Sequence, residues 1–259
     1  MQYLDAAIRW LHLLAGVVWM SQLFFFNFVN AIVAKGYDTD TRRKVVPQVM
    51  PRALFFFRFG ALFTWVTGIF LVGFVYHLGG LMVRADAPAG AQRNAIIVTQ
   101  LLIFFGFFLY DLLWKSPLGK NEALGSVLSL ALFGGVAYGL SELLAGRALW
   151  IHLGAILGSV MTLNVWMRIW PAQKKIIRAL KETGPAVGPE IAAGAALRSK
   201  HNLYLSVPVL CFMVTAHTFP IAYGDEYNWA WATGVMVIGW AMAKVLLVTA
   251  NSALPMKAP

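Results

Sequence analysis

Residues 94–114 read NAIIVTQLLIFFGFFLYDLLW, 21 positions with a single charge at Asp111. As a helix rising about 1.5 Å per residue, this run spans roughly the 30 Å of a bilayer's hydrocarbon core. Runs of the same kind recur near 6–33, 53–79, 122–144, 148–169, 202–223 and 228–250, so seven transmembrane helices are expected. Composition points the same way. Of 259 residues, 59% are apolar or aromatic, glycine adds 23 more, and only 12% are charged. An average soluble domain is about 45–50% apolar and about 25% charged. A water-soluble globule of this length cannot hide that much apolar surface, and a disordered chain shows the opposite bias. The expected fold is all-α: a polytopic membrane helix bundle forming one transmembrane domain over 1–259.

The first run begins with Asp5 and Arg9 and has neither a basic leader nor a small-residue cleavage site, so it reads as a retained helix rather than a signal peptide. The net charge of +10 resides between the apolar runs, which speaks for topology and against a nucleic-acid partner. Lys35, Arg42, Arg43, Lys44 and Arg52 follow the first run, Lys115 and Lys120 the third, and Lys174, Lys175, Arg178, Lys181, Arg198 and Lys200 the fifth. The alternate loops hold only Arg84, Arg93 and Arg147, or Asp225 and Glu226 with no basic residue. Basic loops stay in the cytoplasm, so the N-terminus is expected outside and the C-terminus, with Lys257, inside. Residues 170–201 form a cytoplasmic amphipathic linker. After Pro171, the residues Ile176, Ile177 and Leu180 share one helical face, suited to lying on the inner leaflet, and a second short helix runs toward Lys200.

Orientation gives the five histidines meaning. His12, His77, His152 and His217 each come from a different helix and fall in the outer third of the membrane, while His201 lies at the cytoplasmic edge. Intramembrane polar side chains are costly and tend to mark function. Imidazole suits iron, copper and zinc, and two imidazoles from facing helices can hold a b-type haem. These four histidines are therefore the candidate cofactor and metal ligands, for one or two haems. Covalent c-type haem is excluded, because Cys211 is the single cysteine and there is no CxxCH.

A faint internal echo joins WLHLLAGVVWM at 10–20 to WIHLGAILGSVM at 150–161, each followed by a helix ending near a histidine. Two such pairs suit a four-helix bundle around a cofactor, with Gly16, Gly154 and Gly158 allowing close approach of backbones or a porphyrin edge. Arg58, Asp111 and Arg168 lie toward the inner side, where ion pairing is expected. Trp10, Trp150, Trp229 and Trp231 mark the outer interface, and Trp114 and Trp170 the inner one. Walker, GxGxxG, HExxH and GxSxG motifs are all missing, which removes support for nucleotide-dependent and hydrolytic chemistry.

Several strings carry a resemblance: HLLAGVVWM (12–20), MPRALFFFRFGALFTWVTGIFLVG (50–73), YDLLWKSPLG (110–119), HLGAILGSVMTLNVWMRIWPAQKKII (152–177), RSKHNLYLSVPVL (198–210) and the stretch from HTFP to EYNW (217–229). Together they resemble the membrane domain of bacterial membrane-bound urate oxidases. The resemblance implies an inner-membrane domain followed, in full-length members, by a periplasmic cytochrome c domain that this chain is expected to lack. It also implies urate oxidation with electrons passed to a respiratory partner. His12, His77 and His152 match the family pattern. The sixth run departs from it, since AHTFP places His217 one position early and puts Thr218 where the family has histidine; Lys244-Val245 replaces a basic-His pair.

The expected function is a haem-b redox protein of the bacterial inner (plasma) membrane. It acts as an electron-transfer subunit or urate-oxidase-like oxidoreductase, with a separate cytochrome c or respiratory-complex subunit as partner and the oligomeric state open. The alternatives are a non-catalytic structural subunit of a larger respiratory complex and a copper transport protein.

Overall fold

The structure is a computed structural model that describes residues 2–182, 187–215 and 226–252. We label its main helices α1 (Gln2–Phe24), α2 (Thr39–Val72), α3 (Ala91–Lys115), α4 (Glu122–Ser141), α5 (Gly146–Asn164), α6 (Trp170–Lys181), α7 (Pro189–Thr215) and α8 (Asn228–Ser252). No strand occurs among the described residues. Six helical stretches are long and apolar enough to cross a membrane, namely Tyr3–Gly36, Thr39–Leu78, Ala91–Lys115, Glu122–Ser141, Gly146–Lys181 and Asn228–Ser252. The protein is a multi-pass membrane bundle. The seventh expected span, 202–223, is described as far as Thr215, where α7 ends.

The helices are longer than the apolar runs alone implied, because charged residues expected in loops continue them. Asp38 caps α2 by accepting the Thr41 backbone N–H at 2.7 Å, and this starts a helix that already carries Arg42, Arg43, Lys44 and Arg52. Three π-helical turns extend spans without breaking them: Phe25–Asn30 after α1, Gly73–Leu78 after α2, and Val165–Ile169 joining α5 to α6. Such turns rotate the side chains that follow and recur at functional sites. The stretch 170–201 is divided between two long helices. Its first part, α6, runs straight on from the fifth span and packs on α2 and α7, with Ile177 buried; its last part is the beginning of α7.

Helix α5 sits at the centre. In its span 78% of the most apolar window is buried, against 22% in each of the other five. The outer helices turn Phe56, Phe63, Leu112 and Val245 outward, as hydrocarbon requires. Helices α1 and α2 pack together, α2 packs on α5, α5 on α7, and α7 back on α1, so the two helix pairs of the internal echo form one ring. Helices α3, α4 and α8 complete the bundle around α5 and α7. Between apolar helices in lipid the attraction comes from close packing rather than from water, and small residues provide it. A Cβ at Gly60 would stand 2.9 Å from the Trp19 backbone nitrogen, which seals α1 to α2. At Gly154 a Cβ would meet the Met213 methyl at 2.9 Å and Phe212 Cβ at 3.1 Å, so this glycine serves contact between α5 and α7. Trp150, expected at the membrane interface, is instead buried and meets the Phe212 ring edge-on at 5.4 Å. It lies in the first turns of the most buried span, and so packs inside the bundle rather than against lipid.

Candidate functional site

The π-helical turn Gly73–Leu78 swings His77 from the end of α2 toward α5, where His152 lies on the first turns. The two imidazoles are 6.3 Å apart between ring centroids and inclined by 26°. His152 is wholly buried. Its Nδ1–H donates to the Ala148 carbonyl at 2.7 Å, one helical turn back. That bond fixes the tautomer and leaves a lone pair on Nε2, which is buried and makes no hydrogen bond. Tyr76 packs edge-on against the His152 ring at 5.3 Å and is itself buried. His77 is half-buried and steered from α3. The Gln92 amide donates to its carbonyl at 2.9 Å, and the Gln100 amide lies 3.3 Å from its Nε2. With Gln100 donating, His77 also presents a lone pair.

Two neutral imidazoles, one with a dry and unused Nε2, form a donor set that fits a metal. A buried acceptor without a partner costs about 1–3 kcal/mol, a cost that a ligand would remove. Metal–imidazole bonds are about 2 Å, so two rings on opposite sides of one ion stand roughly 6 Å apart between centroids, close to the separation found. Among the described residues no three His, Cys, Asp or Glu side chains come together as a metal-holding group, so His77 and His152 stand as a pair of candidate ligands.

The other histidines are placed differently. His12 on α1 faces the last two turns of α2, with Nδ1 3.0 Å from Thr67 Oγ1 and its ring edge against Gly68. Gly68 precedes His77 by nine residues, which puts His12 about 14 Å deeper along the helix axis than His77. His217 lies outside the described residues. His201 belongs to the opposite end of the bundle, where its Nδ1 meets the Tyr110 hydroxyl at 2.6 Å and its ring packs on Trp114 at 4.0 Å.

That opposite end centres on Asp111, buried on α3. It pairs with Arg168, with Arg198 at 2.9 Å and with Lys115 at 3.0 Å. The expected ion pair of Asp111 and Arg168 is therefore present, whereas Arg58 stands aside, its guanidinium 4.1 Å above the Trp170 ring. Arg198, counted with the basic inner loop in the sequence, is buried among these partners. Beside this cluster Asn164 donates to Tyr110 Oη at 3.1 Å and to Asn202 Oδ1 at 3.0 Å, and Asn202 donates to the Met161 carbonyl at 2.9 Å. Sequence reasoning missed the network, because Asn202 and His201 stood at the edge of a span and looked solvated. It also missed Gln92 and the π-helical turn that aims His77.

A family model described as urate oxidase N-terminal matches residues 31–256. No curated protein and no solved structure gives a match. The match covers most of the chain and includes His77 and His152, and on it the chain belongs to the urate oxidase N-terminal family.

Proposed function

We propose that the protein is a haem-b membrane redox subunit whose iron is held by His77 and His152, working in or beside urate oxidation and delivering electrons to a cytochrome c or another respiratory partner. The observation that carries this reading is the buried Nε2 of His152, held as a lone pair by the Nδ1–H bond to Ala148, in a ring whose centroid is 6.3 Å from that of a second imidazole. Family membership supports an oxidoreductase-linked role and makes urate the first donor to test.

Bound between these rings, haem would supply one-electron chemistry between ferric and ferrous iron. The chain's own part is positional. The Ala148 carbonyl orients the His152 ring and raises the basicity of its ligating nitrogen. Tyr76 and the buried start of α5 keep water from that nitrogen. Gln100 holds His77 until a ligand takes its place. The loops at this end are poor in basic residues and the opposite ones rich, which supports an outward, periplasmic position for the pair in a bacterial inner membrane. His77, the more exposed of the two, then faces an arriving electron partner.

Oxidised and dithionite-reduced absorption spectra of the purified protein test the proposal. The expected result is a Soret band that shifts on reduction and haem b on acid–acetone extraction. A colourless protein with no extractable haem would refute it. A structural-subunit reading draws on His12 and His201, whose Nδ1 atoms are hydrogen-bonded within the bundle. It predicts that alanine at His77 and His152 leaves electron flux unaltered.

A further inference from the structure

A cavity of about 380 Å³ opens between α3, α4, α5, α7 and α8, away from the histidine pair. Its long part is apolar, lined among others by Gly106, Phe133, Ile156, Leu157 and Met236. Leu109 and Leu132, both exposed on the outside of the bundle, also line it, so it reaches the surface that faces lipid. One end is polar and carries Tyr110, Trp114, Tyr204 and His201. Its one cation, Lys200, is 2.6 Å from its one anion, Glu122, so the lining has no net charge.

We propose that this cavity binds a membrane-soluble quinone, with the ring at the His201 end and the isoprenoid tail along the apolar part. Hydrogen-bond direction supplies the recognition. The Asn164 amide donates to Tyr110 Oη, and in the arrangement that suits a quinone the Tyr110 hydroxyl donates its own proton to His201 Nδ1. His201 is then the tautomer with hydrogen on Nε2, and that N–H makes no hydrogen bond within the described residues. It offers a neutral donor at the polar end of a greasy slot, which matches a quinone carbonyl. Trp240 adds a second donor from the lining, since its Nε1 is buried and without a partner. A phospholipid headgroup calls for free cationic charge, and Lys200 is already paired. At the far end the lining reaches Leu153, the residue after His152, so one helix connects the cavity with the candidate haem ligands. The assignment deepens the redox reading above, yet the binding itself requires no haem.

The test is photolabelling of the full chain in phosphatidylcholine nanodiscs with an azido-substituted ubiquinone analogue, with labelled peptides mapped by mass spectrometry. The expected label lies within 101–115 or 198–209, saturates, and is displaced by decylubiquinone but not by phosphatidylglycerol. His201→Phe, which keeps a ring against Trp114 but removes the donor, weakens displacement about tenfold. Gly106→Leu, distant from the polar network, fills the slot and abolishes specific labelling while the melting temperature stays at the wild-type value. Labelling that persists in a His77→Ala/His152→Ala variant lacking any Soret band would separate quinone binding from the haem reading. Unsaturable label spread over the lipid-facing helices would overturn the proposal. So would equal displacement by phosphatidylglycerol, or full labelling of the Gly106→Leu variant.

Discussion

The two ends of α5 solve opposite problems with the same kind of residue. At one end His152 is buried with a lone pair that nothing answers; at the other Asn164 is tied into a chain running from the Met161 carbonyl to His201. Buried polar groups in lipid are tolerated when they find partners, and the Asn164 amide nitrogen finds two while its Oδ1 finds none. What sets the dry Nε2 of His152 apart from that Oδ1 is the second imidazole alongside it. The comparison teaches that burial of a histidine says little by itself. What distinguishes a ligand from a packing residue is which ring nitrogen is already spoken for.

The sharpest way to break this comparison is to exchange the fates of the two ends. His152→Ala and His77→Ala are each expected to remove the Soret band of the purified protein, whereas Asp111→Asn keeps it. His12→Ala also keeps it, because His12 is hydrogen-bonded to Thr67, nearly three turns away from the pair. If His12→Ala removes the band and His152→Ala does not, the ligand assignment is wrong.

The second expected effect falls on stability at the other end. Asp111 and Arg198 are both buried and joined at 2.9 Å, so Asp111→Asn leaves a guanidinium in the bundle without its counter-charge. Breaking a buried pair from one side costs about 3–5 kcal/mol. A large drop in the detergent melting temperature is expected, with any bound haem retained until unfolding. An unchanged melting temperature would mean that the pair is wetter than its burial implies.

A smaller effect is expected where the ends meet. Trp65 on α2 donates to Ser159 Oγ on α5 at 2.8 Å, and Ser159 in turn donates to the Ala155 carbonyl. Ser159→Ala strands the indole N–H in an apolar contact, at a cost of about 1 kcal/mol. The melting temperature should fall slightly while the Soret band stays in place, which would show that the ends are held together by packing and are not coupled through this bond.

How much of this was legible in the sequence follows from what each feature depends on. Hydropathy carries the spans, because bilayer thickness sets their length whatever they pack against. Span polarity also pointed to Asp111 and Arg168, since a carboxylate in an apolar run needs a cation nearby. The histidine pair was legible only as two members of a set of four. Spacing along the chain does not tell which helices face each other, and a π-helical turn shifts the face that His77 presents by an amount no periodicity reveals. Arg198 and His201 were read as loop residues because the helix that buries them begins at Pro189, well before its apolar run. The cavity had no signature at all, because it exists only where faces of five helices meet.

The smallest expected effect compares two carboxylates at the Asp111 end. Asp38 is exposed and caps α2, and the Thr41 N–H hydrogen bond holds its carboxyl below the usual carboxylate value of 3.8. A depressed folded value means that the cap's contribution is full above 3.8 and fades as the pH falls through the folded value. The amides of residues 39–42 should therefore lose hydrogen-exchange protection as the pH falls below 3.8, with the rest of α2 unaffected. Asp38→Asn keeps a capping acceptor and removes the titration, so its protection should stay flat over the same range. Protection that falls equally in both variants would assign the acid sensitivity to the buried Asp111 cluster rather than to the cap, and would make the two carboxylates partners in one transition.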